Sequence, residues 1–339
     1  MAQTPDAVLK DLKAKKFKPL YFLYGDEPYY IDSIAEILEQ KIVPESERSF
    51  NQFVVYGKDT DLAGVLSNAR RFPFMADLQL VLVKEAQKLV GLDQKESQER
   101  LAEYAENAPE STVLVFCHHG NIDERKRFVK AMATSGVVMQ SKKLYDNKLP
   151  DWVSSFCVAE GVKISPKAIQ MLVSNIGNDL KRLSNEIRKI EVNLRVDQGI
   201  DAEVVERFVG ISKDYNVFEF QKALSVRDVL KANRIANHFC SNPKDNPLAP
   251  ILIILYGFFS KLLLLYASQD RSERALATQL GVNPYFVKDY TLAARHFPLP
   301  KIAYIMGYLR EADARLKGVE GGSMGEAEIL KELVFKILH

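Results

Sequence analysis

The sequence predicts an α/β domain with a mainly parallel sheet, then a small helical unit, then a larger all-helical domain. Two observations carry this. Short apolar runs alternate with amphipathic stretches up to about residue 145, and strand signals fade after Pro150 while helical periodicity continues. The first strand falls at residues 20–24 and stops at Gly25; Asp26, Glu27 and Pro28 then start a helix over 30–42. A second strand is expected at 50–56, closed by Gly57, and a helix at 62–71. Further strands fall at 78–83, 112–118 and 137–140. Helical stretches between strands imply crossover connections, hence parallel pairing with both faces covered.

After Pro150, helices are expected at 152–160, 166–175, 179–192 and 201–208, with Ser165-Pro166 and Asn178-Asp179 as starts. The remaining helices fall at 217–224, 226–239, 248–266, 271–280, 283–294, 299–316 and 326–338. Asn242-Pro243, Asn246-Pro247, Pro298, Pro300 and the stretch 318–325 mark the loops between them. The expected domains are therefore 1–145, 146–211 and 212–339.

Composition narrows the function. The chain has 339 residues, enough for two or three domains, and 47% are hydrophobic, which excludes a disordered chain. Lys plus Arg number 46 against 44 Asp plus Glu, too even a balance for a protein that holds DNA alone through a basic field. Three cysteines cannot build a disulfide framework and fit a reducing cytoplasm. Met1 to Asp6 lack the regions of a signal peptide. Residues 248–266 are apolar enough to raise the membrane question. Lys261 lies well inside that run, so a fully buried helix of a soluble helical domain is expected instead.

The first domain has the pattern of a P-loop or Rossmann-like fold without its chemistry. A P-loop needs G-x-x-x-x-G-K-S/T after the first strand, so that amides and the lysine cradle phosphates. Here Gly25-Asp26-Glu27-Pro28-Tyr29-Tyr30-Ile31 has no second glycine and no lysine. Two carboxylates stand where phosphate would go, and Pro28 lacks an amide donor. The third strand ends Val83-Lys84-Glu85, with lysine where a magnesium-binding aspartate would be. No cofactor is expected.

Other motifs are weaker. Gly57-Lys58-Asp59-Thr60 lacks the upstream glycine, and Gly321-Gly322-Ser323-Met324-Gly325 follows a helix, which reads as a flexible loop. Cys117-His118-His119 has no second ligand pair at zinc spacing and reads as solvent-facing strand-end residues. Residues 123–130 place Arg125, Lys126, Arg127 and Lys130 at a helix start. The pattern alone favours a solvated charged face and leaves contact with DNA phosphates open. Arg71-Phe72-Pro73-Phe74-Met75-Ala76-Asp77 puts large apolar side chains in a connection where polar ones are expected. They either tuck under the sheet as core, which the residues alone favour, or form a wedge for a partner.

Taken together, these segments resemble the delta subunits of bacterial DNA polymerase III, the clamp-opening members of the clamp loader. Tyr21-Phe22-Leu23-Tyr24-Gly25-Asp26-Glu27-Pro28-Tyr29-Tyr30-Ile31 is similar to the family's strand, glycine, acidic pair and helix. Residues 71–79 with 80–83 are similar to its clamp-binding tip and next strand. Gly177-Asn178-Asp179-Leu180-Lys181-Arg182-Leu183 with Glu186 resembles its lid helix, and Glu311-Ala312-Asp313-Ala314-Arg315-Leu316-Lys317-Gly318 a late stretch of its third domain.

The resemblance implies an AAA+-like module, a helical lid and an all-α collar domain. Its collar would join a pentamer with the gamma/tau ATPase subunits and delta-prime, acting on primed DNA. It implies a chain that is no enzyme by itself and belongs to a DNA-directed DNA polymerase holoenzyme. It also implies that Phe74 and Met75 enter an apolar pocket on the ring-shaped sliding clamp (beta), with Phe72 and Pro73 shaping the tip beside the broken phosphate cradle. The pair is Phe-Met here, where the family has a Leu-Phe type pair. Lys181, at a sensor-2-like position, is read as inherited or structural. The rival expectations are an active AAA+ ATPase and a helical scaffold unrelated to DNA.

Overall fold

The computed structural model describes residues 2–195, 198–212, 214–319 and 324–339. The chain forms two compact units, one ending at Tyr145 and one beginning at Asp146. In chain order the first contains α1 (Pro5–Lys13), β1 (Leu20–Gly25), α2 (Pro28–Lys41), α3 (Arg48–Asn51), β2 (Gln52–Tyr56) and α4 (Leu62–Ala69). β3 (Gln79–Lys84), α5 (Lys95–Glu106), β4 (Thr112–His119), α6 (Arg127–Ser135) and β5 (Val137–Ser141) complete it.

The five strands run in the order β2-β3-β4-β1-β5, every pair parallel. Register sets Phe22 beside Phe116 and Leu23 beside Met139. Alternation along β1 then divides the core. Phe22 and Phe116 pack with Leu66, Leu101 and Phe128 of α4, α5 and α6, whereas Tyr21 and Leu23 pack with Leu12, Ile34 and Leu38 of α1 and α2. Gly25 ends β1 with φ +137°, and a Cβ there would lie 2.0 Å from the Ser141 carbonyl oxygen, so no other residue fits against β5.

The second unit is helical: α7 (Leu149–Ala159), α8 (Pro166–Ile176), α9 (Leu180–Val192) and α10 (Ala202–Val209) precede α11 (Val217–Ser225) and α12 (Val229–Ser241). α13 (Leu248–Ala267), α14 (Glu273–Leu280), α15 (Val287–His296), α16 (Leu299–Leu316) and α17 (Glu326–Leu338) follow. Ser165, Asp179, Asp201, Asp228 and Ser272 each accept a backbone N–H as N-caps. Phe220, Phe239, Leu255, Phe259, Phe297, Ile305 and Leu333 fill the core of the bundle built by α11 to α17. The expected boundary at 211/212 falls within this unit. There the buried carboxylate of Glu219 on α11 bonds Lys167 of α8 at 2.7 Å and Lys231 of α12 at 2.5 Å.

Several expectations are corrected. Residues 50 and 51 are helical rather than the start of a strand, because Asn51 spends its side chain on another loop's backbone instead of facing a sheet. α12 begins at Val229, since Arg227 takes a left-handed φ of 56° and Asp228 caps the helix. α13 is, among the described residues, long and apolar enough to cross a bilayer. In the structure it packs within the helical bundle, and it is not fully buried: Leu255, Phe259 and Leu262 face the core while Ile253, Tyr256 and Leu264 are exposed. Because both faces are apolar, hydropathy alone could not separate them. Lys261 is half-buried, and its Nζ reaches the Gly281 carbonyl, the C-cap of α14, at 3.4 Å. Residues 320–323 of the expected glycine-rich loop lie outside the described residues.

Candidate functional site

The apolar segment between α4 and β3 is not core. Phe72 is 89%, Phe74 60% and Met75 89% exposed, with Pro73 half-buried. The reading favoured by residue pattern alone is thus overturned for these side chains. What holds them out is a pair of buried amides. Asn51 is 1% exposed; its Nδ2 donates to the Phe74 carbonyl at 3.0 Å and its Oδ1 accepts the Phe74 N–H at 2.7 Å. Gln79, also buried, donates through Nε2 to the Arg71 carbonyl and to Thr112 Oγ1, the latter at 2.8 Å. Each amide gives the turn's backbone a fixed partner inside the protein, which ties the loop down at Arg71 and at Phe74. Met75 has a left-handed φ of 50°, an unfavourable conformation that this bracing maintains.

The tip lies at the amino end of β3, whereas the degenerate cradle lies at the carboxyl end of β1. In a parallel sheet these are opposite ends, so the two are not side by side as expected. At the cradle, Glu27 is buried and its Oε1 accepts the Tyr29 N–H at 3.0 Å, capping α2 with the chain's own carboxylate. Ser141 Oγ donates to the Glu27 carbonyl at 2.7 Å, and Asn121 Nδ2 donates to Asp26 at 3.0 Å. A helix start capped in this way presents negative charge where a phosphate would need positive potential. Lys84 pairs with Glu39 at 3.0 Å; although burial opposes its charge, the carboxylate raises its pKa. Gly57, of the Gly-Lys pair, is required by packing: a Cβ there would lie 2.4 Å from the Glu85 carbonyl oxygen.

Among the described residues no cluster of His, Cys, Asp and Glu could hold a metal. Cys117 is buried rather than solvent-facing, and burial pushes its thiol up to about 12. His118 is half-buried, and desolvation lowers its pKa. The basic helix start is largely neutralised by its own neighbours. Arg125 is held by Asp123 at 2.9 Å, and Arg127 by Glu99 at 2.5 Å and Glu106 at 3.1 Å. Lys126 is the half-buried N-cap of α6, and Lys181 is exposed in the first turn of α9. Sequence reasoning missed Phe50, which is 64% exposed with its ring centroid 5.5 Å from that of Phe74. Its position in an apparent strand concealed it.

An α/β unit of this topology with a self-capped cradle, followed by helical regions of lid and collar type, defines an AAA+-like module of the clamp-loader kind. The family model for the DNA polymerase III delta subunit matches residues 21–142, and the model for the C-terminal domain of that subunit matches 214–336. DNA polymerase III subunit delta of Bacillus subtilis is 26% identical over 91% of this chain and 91% of its own length. The probable subunit delta of Aquifex aeolicus is 22% identical over 79% of this chain and 77% of its own. The solved Bacillus subtilis DNA clamp loader delta protein superposes with a TM-score of 0.54 at 25% identity, covering 98% of this chain and 99% of that one. The chain belongs to the DNA polymerase III delta subunit family. That membership makes it a clamp-loader component and sets aside the scaffold unrelated to DNA.

Proposed function

We propose that this chain binds the sliding clamp (beta) through Phe72, Pro73, Phe74 and Met75 and favours its open form, without hydrolysing ATP itself. The observation that carries this reading is an exposed apolar tip fixed by two buried amides. Each large apolar side chain buried in a partner's pocket contributes about 1.5–3 kcal/mol before ordering costs, and a pre-fixed loop has little left to lose in ordering. Such energy does not tear a stable ring. It shifts the ring toward opening when the pocket fits the tip better in the open state.

In this reading the fuel is burned elsewhere. The gamma/tau subunits and delta-prime complete a cytoplasmic pentamer with this chain through its last helices, and their ATP cycle exposes and withdraws the tip. Primed DNA passes through the assembly. Any DNA contact from Arg125, Lys126 and Arg127 is weak and salt-sensitive, because the two arginines already face carboxylates. Mixing the full chain with the clamp of the same organism on a sizing column tests the proposal. Co-elution as a complex is expected, and separate elution at micromolar concentrations would overturn it.

A further inference from the structure

We propose that the turn Arg48–Asn51 is part of the clamp-binding element: Phe50 supplies a fourth large apolar contact, and Asn51 is a positioning residue for Phe74. The proposal deepens the reading of the tip and rests on it. Both segments precede strands that are parallel neighbours, α3 leading into β2 and the tip into β3, so the topology delivers them to the same end of the sheet. The Phe50 and Phe74 rings are 5.5 Å apart and tilted by 44°, yet both remain largely exposed, so their mutual contact leaves apolar surface unspent. One residue on, Asn51 binds both polar groups of the Phe74 backbone. A single turn therefore presents one ring and aims the other. The occupant is the clamp's apolar pocket, because this surface is continuous with the tip assigned to it. A pocket that accepts Phe74 meets Phe50 at its rim.

The test compares clamp affinity for the full-length chain and four variants by calorimetry. Val90→Ala, an exposed apolar residue away from the tip, is the control. Phe50→Ala should weaken binding about tenfold at unchanged melting temperature, as expected for one aromatic contact in a partner's pocket. Asn51→Leu removes both the acceptor for the Phe74 N–H and the donor to its carbonyl. In the free protein, protection of the Phe74 amide from hydrogen exchange should fall, and clamp affinity should fall with it. Wild-type affinity in Phe50→Ala would overturn the role of Phe50. Unchanged Phe74 protection in Asn51→Leu would overturn the role of Asn51. Wild-type affinity in Phe74→Ala/Met75→Ala would instead overturn the underlying reading of the tip.

Discussion

Glu27 accepts the backbone N–H of Tyr29 at 3.0 Å, so the amino end of α2 is closed by a carboxylate of its own chain. A phosphate at the same point would have to displace a buried acid and tolerate its charge. The isolated chain is therefore expected to show no saturable ATP binding by calorimetry in the presence of magnesium. Micromolar binding would restore the active ATPase as the better description.

Glu219 carries a testable pH dependence. Burial raises its pKa, but Lys167 and Lys231 more than compensate and hold it below its ordinary 4.5. A depressed carboxyl pKa stabilises the fold fully above the unfolded value and loses that contribution as pH falls through the folded one. Glu219→Gln should destabilise the chain by about 1–2 kcal/mol at pH 7, since the two lysines are partly solvated. Urea denaturation at several pH values should show the difference from wild type shrinking below about pH 4.5. A constant difference across that window would remove the ion pairs from the account.

The thiols offer a second check. Cys117 and Cys157 are buried, and burial pushes their pKa values up to about 12 and about 11. Cys240, less buried, is also raised. A thiol reagent at pH 8 should modify Cys117 and Cys157 only after denaturation, with Cys240 reacting slowly in the native protein. Rapid native labelling of Cys117 would contradict its place in the sheet.

Gln79 braces the tip from the β3 side. Gln79→Leu keeps the volume but leaves the Arg71 carbonyl and Thr112 hydroxyl without their donor. A loss of about 1–3 kcal/mol is expected in denaturant unfolding, together with weaker clamp binding. Full stability would show that water replaces the amide.

Much of this was legible in the residues. Alternating apolar runs located all five strands, and Gly25, Pro28 and Asp179 marked turns and helix starts where the structure has them. The degenerate cradle followed from charge and missing glycines alone. The tip's segment could be found but not its exposure, because Phe72 and Met75 look like core in any one-dimensional pattern; the grip of Gln79 and of Asn51, 23 residues from Phe74, holds the loop outward. Phe50 was hidden for the same reason. It stands just before the apolar run of β2 and reads as that strand's start, and no local signal reports a ring packed against a distant segment. The exposed side of α13 was likewise invisible, since its residues are as apolar as those that face the core.

The most direct measurement is the clamp affinity of Phe74→Ala/Met75→Ala beside wild type, with pentamer assembly followed in parallel. Clamp binding is expected to be lost while assembly with the ATPase subunits and delta-prime is unchanged. Clamp affinity equal to wild type in the double variant would contradict the role of the tip.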